Sequence, residues 1–75
     1  MEKIITDIII SVTGIKGITP DMDFIRDMGL NSFDVVNIVG EFEDKFDITI
    51  PTRDIWQLHN VSDVAAYFAK RGIKI

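Results

Sequence analysis

Asp27-Met28-Gly29-Leu30-Asn31-Ser32-Phe33-Asp34 joins a turn-rich segment to the best helical pattern in the chain. Gly29 adopts backbone angles that a Cβ forbids, which suits a tight entry into a helix. Asn31 is a favoured N-cap, and Asp34, three residues on, takes the place of a capping-box acid. With Asn31 as the cap, Ser32 is the first helical residue. Its hydroxyl then stands at the positive end of a helix dipole beside unpaired backbone N–H groups, a favourable place to hold a phosphate. On local grounds alone, a serine at a helix start is more often simply part of a cap.

Working forward, a helix runs from Ser32 to about Phe46. Its apolar stripe is Val35, Val36, Val39, Phe42 and Phe46, with Ile38 and Gly40 at the edge or off it. Asp34, Glu41 and Asp44 face outward or lie at the boundary. Gly40 costs about 1 kcal/mol relative to Ala inside a helix. Close packing by a neighbour is the favoured explanation, and room for a partner or a bound chain is the alternative. Asp47-Ile48-Thr49-Ile50-Pro51 is an extended connector that Pro51 keeps from continuing the helix. Thr52 is placed to cap a short helix over residues 53–58, in which Trp56, the single Trp, reads as a partly buried packing residue. Asn60 starts a last helix whose buried face is Val61, Val64, Ala65, Phe68 and Ala69. Asp63 suits its first turn, Lys70 and Arg71 its last, and Gly72 stops it.

Working backward, residues 3–15 read as a first helix. Ile4, Ile5, Ile8, Ile9 and Val12 make one stripe, and Gly14 and Gly17 end it. Between Gly17 and Asn31 runs a long loop. Pro20 biases Thr19 away from helix, and Met22, Phe24, Ile25, Met28 and Leu30 are expected to tuck beneath the loop. A loop of this length in so short a chain hints at function.

The stretch Asp27-x-Gly29-x-Asn31-Ser32-Phe33-Asp34, followed by Val35-Val36 and then Glu41-Phe42-Glu43-Asp44-Lys45-Phe46-Asp47-Ile48-Thr49-Ile50-Pro51, resembles an acyl carrier protein. In that family the motif is typically Asp-x-Gly-x-Asp-Ser-Leu, the serine carries a 4′-phosphopantetheine arm, and an acidic helix ending in Phe-x-x-x-Ile-Pro follows. The resemblance runs from about Asp21 to Phe68. It implies that Ser32 is the attachment residue, loaded from coenzyme A by a phosphopantetheinyl transferase. It implies that acyl-loading and acyl-transfer enzymes dock with basic surfaces on the second helix, at Asp34, Asn37, Glu41, Glu43 and Asp44. It also implies a short third helix that moves to admit a bound chain, with Val36, Val39, Ile55 and Leu58, and Trp56 beside them, lining the cavity. Asn31 and Phe33 replace the commoner Asp and Leu, and Asn37 stands where many fatty-acid-synthesis carriers have Glu. These departures favour a dedicated carrier of a secondary pathway over the housekeeping one.

Seventy-five residues make one domain, expected to span 1–75. There is no Cys, hence no disulfide and no thiolate metal site, which fits a reducing cytoplasm. Met1 to Asp7 does not read as a signal peptide, and no apolar run approaches the ~20 residues of a membrane span. The net charge of −4 is unevenly spread. Residues 21–47 hold eight acids and two bases, a local charge of −6; the remainder holds four acids and six bases, a charge of +2. Such an acidic block argues against nucleic acid, whose phosphates need a basic footprint. It favours partners with basic patches, although acids also simply solubilise small domains.

Catalytic constellations are unsupported. Ser32 lies in Gly29-Leu30-Asn31-Ser32-Phe33, which is not the G-x-S-x-G elbow, and the lone histidine, His59, reads as a solvent-facing or capping residue. Asp21-x-Asp23 opens like a calcium loop, but Arg26 stands where Gly is needed and Ser32 where a bidentate Glu belongs. The expectation is therefore an all-α four-helix bundle of acyl-carrier type, three main helices plus a short one, with a long first loop. It is expected to be a monomeric cytoplasmic protein that binds no metal and catalyses nothing. It would hold acyl or aminoacyl groups as thioesters on an arm at Ser32, for fatty acid, polyketide or related biosynthesis. The alternative is an unmodified interaction module of the same fold.

Overall fold

A computed structural model describes residues 1–73. The last two positions of the expected 1–75 domain lie outside the described residues. The chain forms α1 (Glu2–Thr13), α2 (Ser32–Phe46), α3 (Thr52–Ile55) and α4 (Val61–Lys70), with no strand among the described residues. This is the all-α bundle of three main helices and one short helix that the periodicity predicts.

Each long helix contributes one buried stripe. Ile5 and Ile9 come from α1, Val35, Ile38, Val39 and Phe42 from α2, and Val61, Val64 and Phe68 from α4. Phe68 is the hub of the aromatic packing. Phe42 and Phe46 meet it edge-on at centroid distances of 5.5 and 5.2 Å, the arrangement that brings a ring's positive edge to its neighbour's negative face. No polar or charged side chain is buried among the described residues, so burying this core costs no desolvated side-chain polar group.

The helix ends follow their caps. Gly14 ends α1 at φ 73°, its N–H donating to the Ile10 carbonyl at 2.7 Å. Asn60 caps α4 by accepting from the Asp63 N–H at 2.8 Å. The Asp63 carboxylate in turn accepts from the His59 N–H at 3.0 Å.

The long loop is tied down at several points. Phe24 and Leu30 are its buried anchors. The Phe24 N–H donates to the His59 carbonyl at 2.8 Å, the Leu30 N–H to the Phe24 carbonyl at 3.0 Å, and the Ser62 N–H to the Pro20 carbonyl at 3.1 Å. Within the loop the Asp23 carboxylate accepts from the backbone of Ile25 and Arg26, and Asp27 accepts from the Asp23 N–H. This local self-bonding is what Asp offers a turn.

Several sequence expectations are corrected. Ile38 is buried while Val36 is 43% exposed, because at 3.6 residues per turn Ile38 lies about 60° from Val35 around the axis and Val36 about 100°. Val12 and Ile25 face solvent rather than the core, and Ala69 is exposed. Trp56 is half-exposed. Thr52 is the first residue of α3 rather than its cap, Pro51 being the N-cap, and α3 ends at Ile55 rather than at Leu58. A Cβ built on Gly40 meets nothing within 4 Å, so close packing does not account for that glycine.

The backbone N–H of Arg26, followed by that of Ile25 and the Arg26 charge, holds the Asp23 carboxyl below its ordinary value of 3.8 against an opposing effect of burial. A depressed folded-state pKa contributes stability above the ordinary value that is lost as pH falls through the folded one. In acid denaturation followed by circular dichroism, the wild type loses stability below about pH 4 more steeply than Asp23→Asn. Equal slopes would contradict this role for Asp23.

Candidate functional site

Asn31 sits in extended backbone and accepts from the Asp34 N–H at 2.9 Å, while the Asp34 carboxylate accepts from the Asn31 N–H at 3.2 Å. This reciprocal pair fixes where α2 begins. The Val35 N–H already bonds the Asn31 carbonyl. Ser32 and Phe33 are thus the first-turn residues whose amides stay open. Among the described residues neither N–H has an acceptor, and the Ser32 hydroxyl makes no hydrogen bond. Ser32 is exposed. Because Asn31 caps the helix, the fold assigns the Ser32 hydroxyl no task of its own. An exposed hydroxyl at the positive end of a 15-residue helix, with two open amides beside it, suits a phosphodiester.

Around Ser32 lies apolar surface that the core does not use. Phe33 is 75% exposed, and Val36 shares its side of α2. Phe33, Val36, Asn37 and Gly40 follow i, i+3, i+4, i+7 spacing, which makes a second stripe opposite the buried one. Sequence reading missed this outer stripe, although the spacing alone could have revealed it.

The five residues expected to meet partners are placed differently from one another. Asn37, Glu41 and Asp44 are exposed, Asp34 is engaged in the capping box, and Glu43 is half-buried. Glu43 organises the exit from α2. Its carbonyl accepts from the N–H groups of Asp47 and Ile48, and its carboxylate accepts from the Ile50 N–H at 2.7 Å.

Beside the first turn of α2 is a small cleft of about 60 Å³. One wall is Asp23, Phe24 and Ile25 from the long loop. The other is Ile55, Trp56, Leu58 and His59, with Val35 at the junction. Of the four residues expected to line a cavity, Ile55 and Leu58 border this cleft. Val39 lies in the core and Val36 on the outer stripe. His59 serves the fold through its backbone and its side chain is exposed. Among the described residues no group of three or more His, Asp or Glu stands where it could hold a metal ion, and no helix is long and apolar enough to cross a membrane.

Residues 3–68 match the family model described as "Phosphopantetheine attachment site". An acyl carrier protein of Akkermansia muciniphila is 38% identical over 72 residues, which cover 93% of this chain and 90% of that protein. The meromycolate extension acyl carrier protein of Mycobacterium tuberculosis is 41% identical over 68 residues, 88% of this chain, and this chain spans 59% of its length. A solved structure from Mycobacterium tuberculosis, described as that of a candidate acyl carrier protein, superposes with a TM-score of 0.82 at 32% identity. It covers 91% of this chain, which in turn covers 93% of it.

The different uses of the acids are measurable by urea denaturation. Glu43→Ala costs about 1–2 kcal/mol by leaving the Ile50 N–H without its charged acceptor. Glu41→Ala and Asp44→Ala stay within about 0.5 kcal/mol of wild type. A Glu43→Ala variant as stable as the other two would contradict the assignment.

Proposed function

This chain belongs to the phosphopantetheine-attachment family of acyl carrier proteins, and on that premise we propose that it holds its cargo on an arm joined by a phosphodiester to the Ser32 hydroxyl. Proteins of this family carry acyl groups, and the group they carry them on is covalent 4′-phosphopantetheine. When bound, the arm supplies a terminal thiol for thioester formation. That supply matters here because the chain has no Cys of its own.

The observation that carries the reading is the redundancy of Ser32 in the fold. Asn31 already caps α2, and the Ser32 hydroxyl is exposed with no partner among the described residues. What this chain contributes at that point is an anchoring oxygen, two open amides for the phosphate, and a helix dipole that favours negative charge.

Membership implies contact with a phosphopantetheinyl transferase and with biosynthetic enzymes. In our reading they dock on the outer stripe of α2. Phe33 and Val36 supply the apolar contact, and Asn37, Glu41 and Asp44, with Asp34 at the helix start, orient a basic partner surface. Glu43 takes part less directly, because its carboxylate is already bonded to the connector. Gly40, with open space where a Cβ would be, leaves room for such a partner.

The cargo is read as acyl or aminoacyl, in fatty acid, polyketide or related biosynthesis. Asn31 and Asn37 favour a dedicated pathway carrier. The chain is further read as one monomeric cytoplasmic domain that catalyses nothing and binds neither metal nor nucleic acid.

The test is intact mass after incubation with coenzyme A, magnesium and a broad-specificity phosphopantetheinyl transferase. The wild type gains one phosphopantetheine and a thiol that reacts with an alkylating agent. Ser32→Ala keeps its helical circular dichroism and gains neither. A wild type that stays unmodified beside a loaded control carrier would favour the unmodified interaction module.

A further inference from the structure

The short helix α3 has little backbone hold. It is four residues long, and its N-cap, Pro51, offers no side-chain cap. Its apolar anchors are Ile55 and, just beyond it, Leu58. Its polar anchor comes from α4. The Tyr67 hydroxyl donates to the Asp54 carboxylate at 2.7 Å. Arg71 donates from one guanidinium nitrogen to the Tyr67 hydroxyl at 3.2 Å and to the Thr49 carbonyl at 2.8 Å. Its guanidinium lies 5.6 Å from the Tyr67 ring centre, within cation–π range. One face of α4 and its C-cap therefore ties both α3 and the connector that leads into it.

The segment so tied is a wall of the cleft beside α2. At about 60 Å³ the cleft is far below the roughly 300 Å³ or more of pockets that enclose a small molecule. Any longer chain enters only if a wall moves, and the backbone bonds of the α3 segment, from Pro51 to Leu58, stay within that segment, whereas the loop wall is tied by the Phe24 N–H to the His59 carbonyl. We propose that Tyr67, Asp54 and Arg71 form a latch on α3 that sets how readily the cleft bordered by Val35, in the first turn of α2, opens to an apolar chain. That the chain arrives on an arm rests on the Ser32 reading; the latch itself does not.

The test is amide hydrogen exchange by NMR on the unloaded chain, so its outcome is independent of loading at Ser32. The reporters are the Ile55, Gln57 and Leu58 amides, each bonded within the α3 segment. Tyr67→Phe keeps the ring beside Phe68 and removes only the hydroxyl. It lowers protection at the three reporters about tenfold, as loss of one charge-assisted hydrogen bond would, and leaves α1 and α2 within about twofold. Asp54→Ala lowers the same reporters comparably. The double variant adds little further, because both changes remove one shared bond. Unchanged reporters in Tyr67→Phe, an equal loss of protection in every helix, or fully additive effects would overturn the latch.

Discussion

The reciprocal bond between Asn31 and Asp34 is the constraint on which the rest of the structure depends. It sets the first residue of α2. Along the helix so begun, the apolar spacing turns Val35, Ile38, Val39 and Phe42 into the bundle and leaves Phe33 and Val36 outside. The same bond leaves the hydroxyl of Ser32 and its neighbouring amides without internal work. Stability and availability for chemistry thus come from one local interaction: the residue that caps the helix relieves the next residue of capping.

A chain of 75 residues buries a modest core, and this one divides its labour accordingly. Apolar side chains fill the interior with no buried polar side chain among the described residues. Polar side chains act at the surface as ties between segments. Asp23 and Asp27 shape the long loop, Glu43 turns the chain out of α2, and Tyr67 with Arg71 holds α3 and its connector. The long first loop is consequently ordered around two buried anchors, Phe24 and Leu30, and forms one side of the cleft that Val35 borders.

Local signals were legible in the sequence. The caps at Asn31 and Asn60 depend on residues three apart, and the glycine stops at Gly14 and Gly72 on single residues with positive φ. The family was legible because its motif is contiguous around Ser32. Helix phase was harder. Val35 and Val36 are chemically alike, and only the angular spacing to Ile38 and Phe42 decides which of them is inside. Contacts set by the path of the chain were not legible. The Glu43 bond to Ile50 depends on how the connector turns, and the Tyr67 bond to Asp54 joins residues 13 apart on two helices. Ile25 illustrates the same limit: its hydropathy favours burial, but the turn bonded to Asp23 directs it outward.

Where the arm sits on the molecule is the question on which the functional reading turns. The most direct measurement is fragment-ion mass spectrometry on proteolytic peptides of protein loaded to completion, with the phosphopantetheine left attached. The position of Ser32 at the open start of α2 predicts that the added mass falls on Ser32 alone. Added mass on Ser11, Thr13, Ser62 or any other hydroxyl, with the Ser32 peptide unmodified, would contradict it.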